Sequence, residues 1–399
     1  MEDIRLRHCR RAVVQVSLDA ITANLRAMKA LLPEKTAMLA VVKADGYGHG
    51  AVPVAKAAEP FVAGFGVATL QEGIALRRHG LGGIILILGV TFPEDYEEMV
   101  RWQLRPAIFE RDHAEKLSGL ARKLKREIPI HLAVDTGMSR IGMKPGGQAE
   151  QLAEEIYHMP GLRVEGIFTH FSRADEEDKE CTRQQFQKFM EFTDRLRQKG
   201  IEIPLRHCSN SAAMIENFSS NSLELCRAGI SMYGLYPSDQ VNRELVKLTP
   251  ALSLKSRISC IRTIGPGTAV SYGGTFVADR TMTIATIPVG YGDGYPRNLS
   301  GKGCVLIRGK RAPVLGRICM DQFMVDISKI PEAVEEDEAV LIGSQGEETI
   351  TVEELADLGG GFHYEILCDL GKRIPRVYRK DGRIVGIKDY SWDQYEDFL

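Results

Sequence analysis

Lys43 is the residue whose type and position most directly suggest chemistry. It follows the apolar run 38–42, and Tyr47 stands four residues later between two glycines. A lysine at the end of a buried strand lies at the rim of a closed site, where desolvation lowers the pKa of an amine. Such an amine can form a Schiff base with an aldehyde and can then carry a proton. A lone lysine after a strand is more often an ordinary surface residue, so its neighbours decide between the two interpretations.

Eight short apolar runs alternate with amphipathic stretches between about residues 37 and 231. The runs cover residues 38–42, 65–68, 84–88, 105–109, 130–134, 164–168, 204–208 and 223–227. Stretches between them, such as 113–126 and 182–199, carry apolar residues at three- and four-residue spacing, which is typical of helices. The alternation predicts an α/β fold with an N-terminal (β/α)8 barrel of the TIM type over residues 14–248. The fourth run is the weakest strand prediction because it contains Pro106.

A barrel of this kind collects its reactive groups at the carboxyl ends of its strands. The residues that follow the predicted strands are polar and chemically able: Lys43, Asp135 to Arg140, His170, Asn210 with Ser211, and Arg227 to Ile230. Arbitrary strand ends would instead carry mainly glycine, serine and aspartate. The pattern therefore favours Lys43 as a site residue.

The chain after Pro250 has a different pattern. Short β-branched runs broken by glycine cover residues 281–288, 304–307, 312–315, 323–327, 339–342 and 376–378, and the clearest helical pattern is 352–358. This pattern predicts a second, mostly-β domain over residues 249–399, with residues 1–13 as a candidate addition to it.

The composition narrows the class of partner. Of the 399 residues, 44% are hydrophobic and 26% are charged, and the net charge of −2 offers no basic surface for nucleic acid. We expect no membrane association, because no run of 18 apolar residues and no secretory signal is present. Eight scattered cysteines without a C-x-x-C pair predict reduced thiols in a cytoplasmic protein, with no metal site. The expected partners are small molecules and other copies of the chain.

Ten motifs stand in the order of one known family. They are VSLDAITANL at 16–25, AVVKADGYGHGA at 40–51, DTGMSRIGM at 135–143, THFSRADE at 169–176, SNSAA at 209–213, RAGISMYG at 227–234, VSYGGTF at 270–276, GYGDGYPR at 290–297, GRICMDQFMVDI at 316–327 and YEIL at 364–367. On these motifs the chain resembles the alanine racemases, which use pyridoxal 5′-phosphate and combine a (β/α)8 barrel with a C-terminal β domain. The resemblance implies racemisation of L-alanine to D-alanine for peptidoglycan precursors.

The resemblance also implies two catalytic bases. Lys43 would hold the cofactor aldehyde, and its amine would move a proton on one face of the substrate Cα. Tyr272 would act on the opposite face and would come from the partner subunit, which implies a homodimer with a shared active site. Inversion needs two groups, because a single base returns the proton to the side from which it came. Without the resemblance, Tyr272 would be taken for a packed aromatic residue.

Arg227 matches the family's arginine that faces the pyridine nitrogen of the cofactor. An arginine stays charged in proteins, so it cannot let that nitrogen become protonated. The cofactor is then a weaker electron sink, which limits side reactions and suits simple racemisation. The next residue, Ala228, stands where the family usually has proline, and we expect little effect from this departure.

The remaining predicted contacts follow from the same resemblance. The cofactor phosphate and ring would be held by Tyr47, Arg140, His170, Asn210, Ser211, Arg227, the amides of Gly229 and Ile230, and Tyr364. The substrate would be held by Arg140, the backbone of Met320, Asp321 and Tyr291. Asp321 is equally consistent with an ordinary turn carboxylate.

A second departure from the family concerns Ala133. Many relatives carry there a lysine that is carbamylated and steadies the arginine equivalent to Arg140, whereas an alanine side chain cannot be carbamylated. A chloride ion or a neighbouring side chain would then balance the positive charge beside Arg140. We expect activity to survive and to respond to halide.

The choice of substrate rests on two tyrosines. Tyr291 and Tyr364 would crowd the pocket and favour alanine, with a serine or broader-specificity racemase as the alternative. Other classes are a decarboxylase of the same fold, a non-catalytic cofactor carrier and a regulator. Arg227 and Tyr272 argue against the decarboxylase, the long β domain argues against the carrier, and no DNA-binding motif supports a regulator.

Overall fold

The structure is a computed structural model that describes residues 9–216 and 223–390. The chain forms two compact units. The barrel unit comprises Ala20–Gly46 and Ala51–Pro250, and the β unit comprises Met1–Asp19, Tyr47–Gly50 and Ala251–Leu399. Residues 1–8, part of the candidate N-terminal addition to the β domain, and residues 391–399, the end of the predicted β domain, lie outside the described residues, as do residues 217–222. The predicted domain limits at 14, 248 and 249 stay predictions.

The first strand, β1 (Ala12–Ser17), belongs to the β unit and leads into helix α1 (Leu18–Ala30). Its alternate residues Ala12, Val14 and Val16 are buried, which is the pattern of a strand with one face toward a core. β1 pairs with two strands from the far end of the chain, as described below.

The next eight strands form the barrel unit's parallel sheets, and all eight strand predictions are confirmed. The strands are β2 Ala37–Val41, β3 Gly64–Val67, β4 Ile84–Ile87, β5 Ala107–Ile108, β6 Ile128–Ala133, β7 Leu162–Phe168, β8 Leu205–His207 and β9 Leu225–Ala228. They pair in parallel in the orders β4-β3-β2-β9 and β5-β6-β7-β8. A parallel bridge between Leu86 and Arg105 continues from one run to the other. On the other side, a hydrogen bond from Arg227 N of β9 to Ser209 O, just after β8, has a length of 3.0 Å.

Strand β5 has only two residues, whereas the sequence predicted a strand over 105–109. Pro106 explains the difference, because proline has no backbone N–H to donate to a neighbouring strand. Its carbonyl still accepts a hydrogen bond from His131 N at 3.0 Å, so β6 remains attached at this point.

Helices separate the barrel strands. They are α2 Ala51–Ala58, α3 Leu70–Arg78, α4 Tyr96–Arg101, α5 Arg111–Leu124, α6 Gly147–Tyr157, α7 Glu180–Gln198 and α8 Ser211–Ile215. Their buried residues recur at three- and four-residue spacing, as with Ala114, Leu117 and Ala121 of α5. One part of the core is a cluster of Leu39 of β2, Leu86 of β4 and Leu225 of β9, which pack together. The strands are therefore buried on both faces, as parallel strands usually are.

The β unit contains a sheet of eleven strands within the described residues. The strands of this unit that follow β1 are β10 Leu252–Arg257, β11 Cys260–Ile264, β12 Ala269–Val270, β13 Phe276–Val277, β14 Met282–Ile287, β15 Cys304–Ile307, β16 Lys310–Leu315, β17 Phe323–Asp326, β18 Glu338–Gln345, β19 Glu348–Ile350, β20 Arg376–Lys380 and β21 Arg383–Lys388. Ten strands of the sheet lie in the order β11-β14-β17-β16-β15-β18-β10-β1-β20-β21, and β19 pairs with β18. A separate two-stranded ribbon, β12 with β13, carries the loop that contains Tyr272.

Strand β1 lies in the sheet between β10, the first strand after the barrel, and β20, near the end of the described chain. It pairs antiparallel with β10 and parallel with β20. Two helices complete the unit, α9 (Val352–Gly359), which agrees with the predicted helix 352–358, and α10 (His363–Asp369). The predicted mostly-β character of this part of the chain is confirmed.

Candidate active site

Lys43 begins a left-handed turn, Lys43–Tyr47, directly after strand β2. Ala44, Asp45 and Gly46 have φ angles of 51°, 51° and 64°. Residues other than glycine enter this region at a cost of about 1–2 kcal/mol each. Strained backbone of this kind persists only where its surroundings hold it in place, and it is concentrated at functional sites.

Three hydrogen bonds hold the turn. Ala44 N donates to Glu72 Oε1 at 2.7 Å, Ala51 N donates to Asp45 Oδ1 at 3.0 Å, and Gly46 N donates to Val42 O at 2.9 Å. Glu72 is itself fixed at the start of α3, where it forms a capping box with Thr69. The backbone on either side of the half-buried Lys43 is thus anchored to β2 and α3.

Arg227 is a buried cation whose partners in the described chain are all neutral. Its side chain lies at the end of β9, and the residue is only 3% exposed. Nη1 donates to His207 Nδ1 at 2.7 Å, and Nη2 donates to the carbonyls of Thr169 at 2.8 Å and Cys208 at 3.0 Å and to His170 Nδ1 at 3.2 Å. Burial, with a smaller effect of Arg140, lowers the pKa of Arg227 to about 10, so the guanidinium stays charged at neutral pH.

Two buried histidine rings, those of His207 and His131, extend the contacts of Arg227 into the interior of the barrel unit. Because the guanidinium can only donate, His207 must accept at Nδ1 and carry its proton on Nε2. His207 Nε2 lies 3.0 Å from His131 Nδ1, so His131 accepts there and carries its own proton on Nε2. Burial lowers the pKa of both histidines, and the charge of Arg227 adds to the effect. Both rings are therefore neutral, with their tautomers set by Arg227.

This relay of Arg227, His207 and His131 ends at Glu165. His131 Nε2 lies 3.4 Å from Glu165 Oε2, which also accepts from Arg105 Nε at 3.1 Å. Burial acts to raise the pKa of Glu165, but the contacts with His131 and Arg105 outweigh it and hold the pKa at about 2. The carboxylate therefore stays ionised at the far end of the relay.

The relay needs a glycine beside it. A Cβ atom at Gly166 would lie 2.5 Å from the ring of His131, closer than any side chain can approach. The next strand thus leaves open the volume that the imidazole fills. His131, His207, Glu165 and Gly166 are functional candidates that the sequence interpretation missed.

His170 contacts Arg227 from another direction. The half-buried ring accepts from Arg227 at Nδ1, so its proton also lies on Nε2. Burial lowers the pKa of His170 well below its ordinary value, and the positive charges of Arg227, Arg140 and Lys43 lower it further. The structure thus brings the predicted site residues Lys43, Arg140, His170 and Arg227 into one electrostatic group.

Backbone amides converge on Ser211. Its Oγ accepts from Gly229 N at 2.9 Å and from Ser231 N at 3.3 Å. Ile230 begins a short 3-10 helix, Ile230–Tyr233, immediately after Gly229, and amides at such a turn form an anion-binding nest. The predicted residues Ser211, Gly229 and Ile230 therefore lie together.

Asn210 has a role in the local fold. Its side chain caps helix α8 by accepting from Ala213 N at 3.0 Å, and this bond places Ser211 at the first position of the helix. Nothing in this contact conflicts with the predicted cofactor role, which stays a prediction.

Arg140 and Ala133 differ in their surroundings. Arg140 is exposed, at the end of a loop in which Asp135 Oδ1 accepts from Gly137 N and Ser139 N. Ala133 is buried, and it packs with Ala107 and Phe168 in an apolar cluster. This cluster offers hydrocarbon contacts at the place where many relatives carry the modified lysine, so the predicted counter-ion of Arg140 is not held by these side chains.

In the β unit, Tyr47 and Tyr364 form an aromatic group. Their ring centroids lie 6.1 Å apart, and Phe362 stacks on Tyr364 at 4.5 Å. Tyr47 is buried and Tyr364 is half-buried. The two predicted phosphate-binding hydroxyls are therefore carried by neighbouring rings.

Tyr272 lies on a tight turn between β12 and β13. Ser271, Gly273 and Gly274 all have positive φ angles, of 66°, 75° and 54°. A guanidinium lies close to this turn, because a Cβ at Gly273 would be 3.2 Å from Arg317 Nη1. The Tyr272 side chain itself projects outward, and the residue is 71% exposed.

Two loops of the β unit bring the predicted substrate residues together. Tyr291 N donates to Cys319 O at 3.1 Å, and Gly292 N donates to Met320 O at 2.8 Å. A Cβ at Gly290 would lie 2.2 Å from Cys319 O, so the two backbones approach as closely as they do only because residue 290 is glycine. Tyr291 is 42% exposed and Met320 is 52% exposed.

Two family models match the chain. The model described as the alanine racemase N-terminal domain matches residues 16–237, and the model of the alanine racemase C-terminal domain matches residues 251–378. The fold and the residues at the barrel strand ends thus agree with an enzyme built from these two domains.

Whole-chain relatives give the same family. A protein named alanine racemase from Desulforamulus reducens is 44% identical over 365 residues, covering 91% of this chain and 98% of its own. A protein named alanine racemase 2 from Bacillus subtilis is 42% identical over 382 residues, covering 94% of this chain and 96% of its own. The chain belongs to the alanine racemase family.

Solved structures agree in fold. The alanine racemase of Clostridium difficile superposes with a TM-score of 0.91 at 38% identity, covering 95% of this chain and 98% of that one. The alanine racemase of Bacillus anthracis, solved with bound L-Ala-P, gives a TM-score of 0.90 at 35% identity, covering 96% and 99%.

Proposed function

We propose that this protein is a pyridoxal 5′-phosphate-dependent alanine racemase that interconverts L- and D-alanine and supplies D-alanine for peptidoglycan precursors. The observation that carries the proposal is the state of Arg227, a buried guanidinium with neutral partners at the end of a barrel strand. Among the described residues, no carboxylate contacts Arg227. The guanidinium is therefore available to donate to a neutral acceptor on a bound molecule.

The donor set of the barrel unit fits pyridoxal 5′-phosphate. The amides that converge near Ser211, Gly229 and Ile230 suit a phosphate, the guanidinium of Arg227 suits a pyridine nitrogen, and the amine of Lys43 suits an aldehyde. His170, held neutral, would lie against the ring. Tyr47, Arg140, Asn210 and Tyr364 are the further residues that we assign to the cofactor.

When bound, the cofactor withdraws electron density from the substrate Cα and makes its proton removable. Lys43 then takes or gives the proton on one face of that carbon, and Tyr272 does so on the other. Arg227 keeps its own proton, because even its lowered pKa of about 10 lies well above neutral pH. It would therefore donate to the ring nitrogen of the cofactor without protonating it, which would leave the cofactor a weaker electron sink and limit side reactions.

The substrate contacts belong to the proposal as well. Arg140 and the backbone of Met320 would bind the substrate carboxylate, with Asp321 beside them. Tyr291 and Tyr364 would limit the side chain to a methyl group, and the relatives named alanine racemase favour alanine over the serine or broader-specificity alternative. A size limit of this kind discriminates by about 1–3 kcal/mol per methylene.

We further propose that the active enzyme is a homodimer. Tyr272, Met320 and Tyr291 are 71%, 52% and 42% exposed in a single chain, although each is assigned to the site. Exposed aromatic and apolar side chains that carry function are typical of surfaces that a partner covers. A second copy of this chain would cover them and would receive Tyr272 as its second base.

A cytoplasmic location is the last part of the proposal. The eight cysteines are scattered along the chain without a C-x-x-C pair, which suits reduced thiols in a reducing compartment. Among the described residues, no helix combines the length and the apolar character needed to span a membrane.

The test is a racemisation assay of the purified protein with added pyridoxal 5′-phosphate. We expect L-alanine to give D-alanine, serine to react more slowly and lysine to remain unchanged. Lys43→Ala should lower the rate by more than about a thousandfold, because it removes both an amine and a base. Lys56→Ala, which removes an exposed lysine of α2, is the matched control. Wild-type protein that leaves L-alanine unchanged would contradict the proposal.

A further inference from the structure

Asp293 is the most completely buried carboxylate of the β unit's loops, with 0% exposure, and nothing in the proposed function uses it. Its Oδ2 accepts from Arg11 Nη1 at 2.9 Å and from Gly290 N at 3.1 Å. Its Oδ1 accepts from Arg11 Nη2 at 2.8 Å and from Arg373 Nε at 3.2 Å. A buried carboxylate with four donors is fixed in position, because each lost bond would leave a charged oxygen without compensation.

The same carboxylate lies inside the Tyr291 loop. Tyr291, Gly292 and Asp293 form one turn of 3-10 helix, Tyr291–Asp293, and Asp293 N donates to Gly290 O at 3.0 Å. The turn is bonded to the Cys319–Met320 backbone through Tyr291 N and Gly292 N. Fixing Asp293 therefore fixes both loops that carry the predicted substrate contacts.

Arg373 extends the arrangement to a third predicted contact. Its Nε donates to Asp293, and its Nη1 donates to Asp321 Oδ1 at 2.9 Å. Two guanidinium groups thus meet two carboxylates, so the charges balance within the group. We call Arg11, Asp293, Arg373 and Asp321 the Asp293 hub.

Arg11 is the unexpected member of the hub. It precedes the residues matched by either family model, which begin at residue 16. It donates to Asp293 from 282 positions away in sequence and also donates to Pro288 O at 2.9 Å. Its bidentate fork is a geometry that lysine cannot reproduce, since an ammonium group is a single point donor.

We propose that Arg11, Asp293 and Arg373 are positioning residues that set substrate size selection by holding the Tyr291 and Met320 loops in one arrangement. We assign them no contact with substrate or cofactor, and they act through Tyr291, Met320 and Asp321. The size limit then depends on the stiffness of the loops as well as on the bulk of the tyrosines. A displacement of about 1 Å in such positioning groups can change rates by about a hundredfold. The inference rests on the proposed racemase function.

The test compares Arg11→Ala and Arg11→Lys with Lys310→Ala, which removes an exposed lysine that pairs with Glu332 in the same unit. The first readout is amide hydrogen exchange over residues 288–295 and 318–322. We expect Arg11→Ala to speed exchange about tenfold in both segments, Arg11→Lys to give an intermediate effect, and Lys310→Ala to give none. Arg11 is half-exposed, so folding should survive its truncation, and a thermal unfolding scan checks this.

The second readout is the ratio of kcat/KM for alanine to kcat/KM for serine. We expect Arg11→Ala to lower this ratio at least about fivefold and to raise KM for alanine more than it lowers kcat. An unchanged ratio or unchanged exchange in a variant that still folds would overturn the inference, even if wild-type activity is intact. Wild-type protein without any alanine racemisation would instead overturn the proposed function, and the exchange result would still stand on its own.

Discussion

The candidate site residues at the barrel strand ends and those on the β-unit loops differ in how far their own chain buries and contacts their side chains. Arg227, His207 and His170 are buried or half-buried, and Arg227 donates a hydrogen bond to each histidine, so their protonation states follow from these contacts. Tyr272 and Met320 stand on turns and project into solvent. The first group is complete within one chain, whereas the second has its backbone fixed and its side chains uncovered. The difference supports the proposed homodimer, in which a second copy of the chain would cover the side chains of the second group.

The local folds explain the difference. Parallel strands are buried on both faces, so a polar side chain at the end of one must find partners in the fold. The turn built on the positive-φ residues Ser271, Gly273 and Gly274 instead presents the Tyr272 side chain outward. Substitutions in the two groups should therefore affect different quantities.

The largest expected effect is that of Tyr272→Phe on activity. Loss of the phenolic oxygen should lower racemisation by about 10²–10⁴-fold, because one of the two proposed bases is removed. The free energy of unfolding should change by less than about 0.5 kcal/mol, since phenylalanine keeps the aromatic ring and the residue is 71% exposed within its own chain. Steady-state kinetics and urea unfolding on the same sample measure both quantities. A large loss of stability would contradict the view that this side chain is uncovered in a single chain.

Arg227→Gln should lower stability as well as activity. Removing the guanidinium leaves His207 Nδ1 and the carbonyls of Thr169 and Cys208 without their donor, at a cost of about 3–5 kcal/mol. Arg173→Gln, which removes an exposed arginine of the same unit, should stay within about 0.5 kcal/mol. Equal stability of the two variants in urea unfolding would show that the relay does not hold the barrel end together.

The buried histidines predict how stability depends on pH. Their pKa values are lowered on folding, so the unfolded chain binds more protons than the folded chain below about pH 6.5. Stability should therefore fall as the pH drops below that value, by about 1.4 kcal/mol per pH unit for each such histidine. His207→Asn should reduce this slope in denaturant unfolding between pH 6.5 and 5. An unchanged slope would mean that His207 is already charged in the folded protein.

The smallest expected effect concerns Ala133. No carbamate forms there, so activity should not depend on bicarbonate, while replacing chloride by a bulky organic anion should change kcat/KM by about twofold through the charge at Arg140. Assays at constant ionic strength separate the specific effect from general screening. Equal rates in both salts would remove the proposed role of halide.

Much of this arrangement was predictable from the sequence. Buried parallel strands appear as apolar runs, and the residues that follow each run mark the end of the strand. Lys43, His170 and Arg227 are found in this way. The left-handed turn after Lys43 was not, since Ala44 and Asp45 are ordinary residues that Glu72 and Ala51 hold in a rare conformation. Local sequence carries no signal for such a contact.

The relay of Arg227, His207 and His131 and the Asp293 hub were not predicted from the sequence, for a related reason. His131 and His207 lie within strands, 76 positions apart, where most neighbours are buried and no regular alternation marks the inward face. Arg11 and Asp293 are joined across 282 positions by a single ion pair. Only the three-dimensional pairing of distant segments reveals these contacts.

The most direct test of the shared active site is a subunit-mixing experiment with the variants Lys43→Ala and Tyr272→Phe. Each variant alone should be nearly inactive. If Tyr272 serves the partner's site, unfolding and refolding the two together should give mixed dimers with one intact site, and about a quarter of wild-type activity for random assortment. If each chain uses its own tyrosine, no mixed dimer can hold an intact site. Activity that stays at the level of the separate variants, with mixed dimers shown by mass spectrometry, would contradict the account.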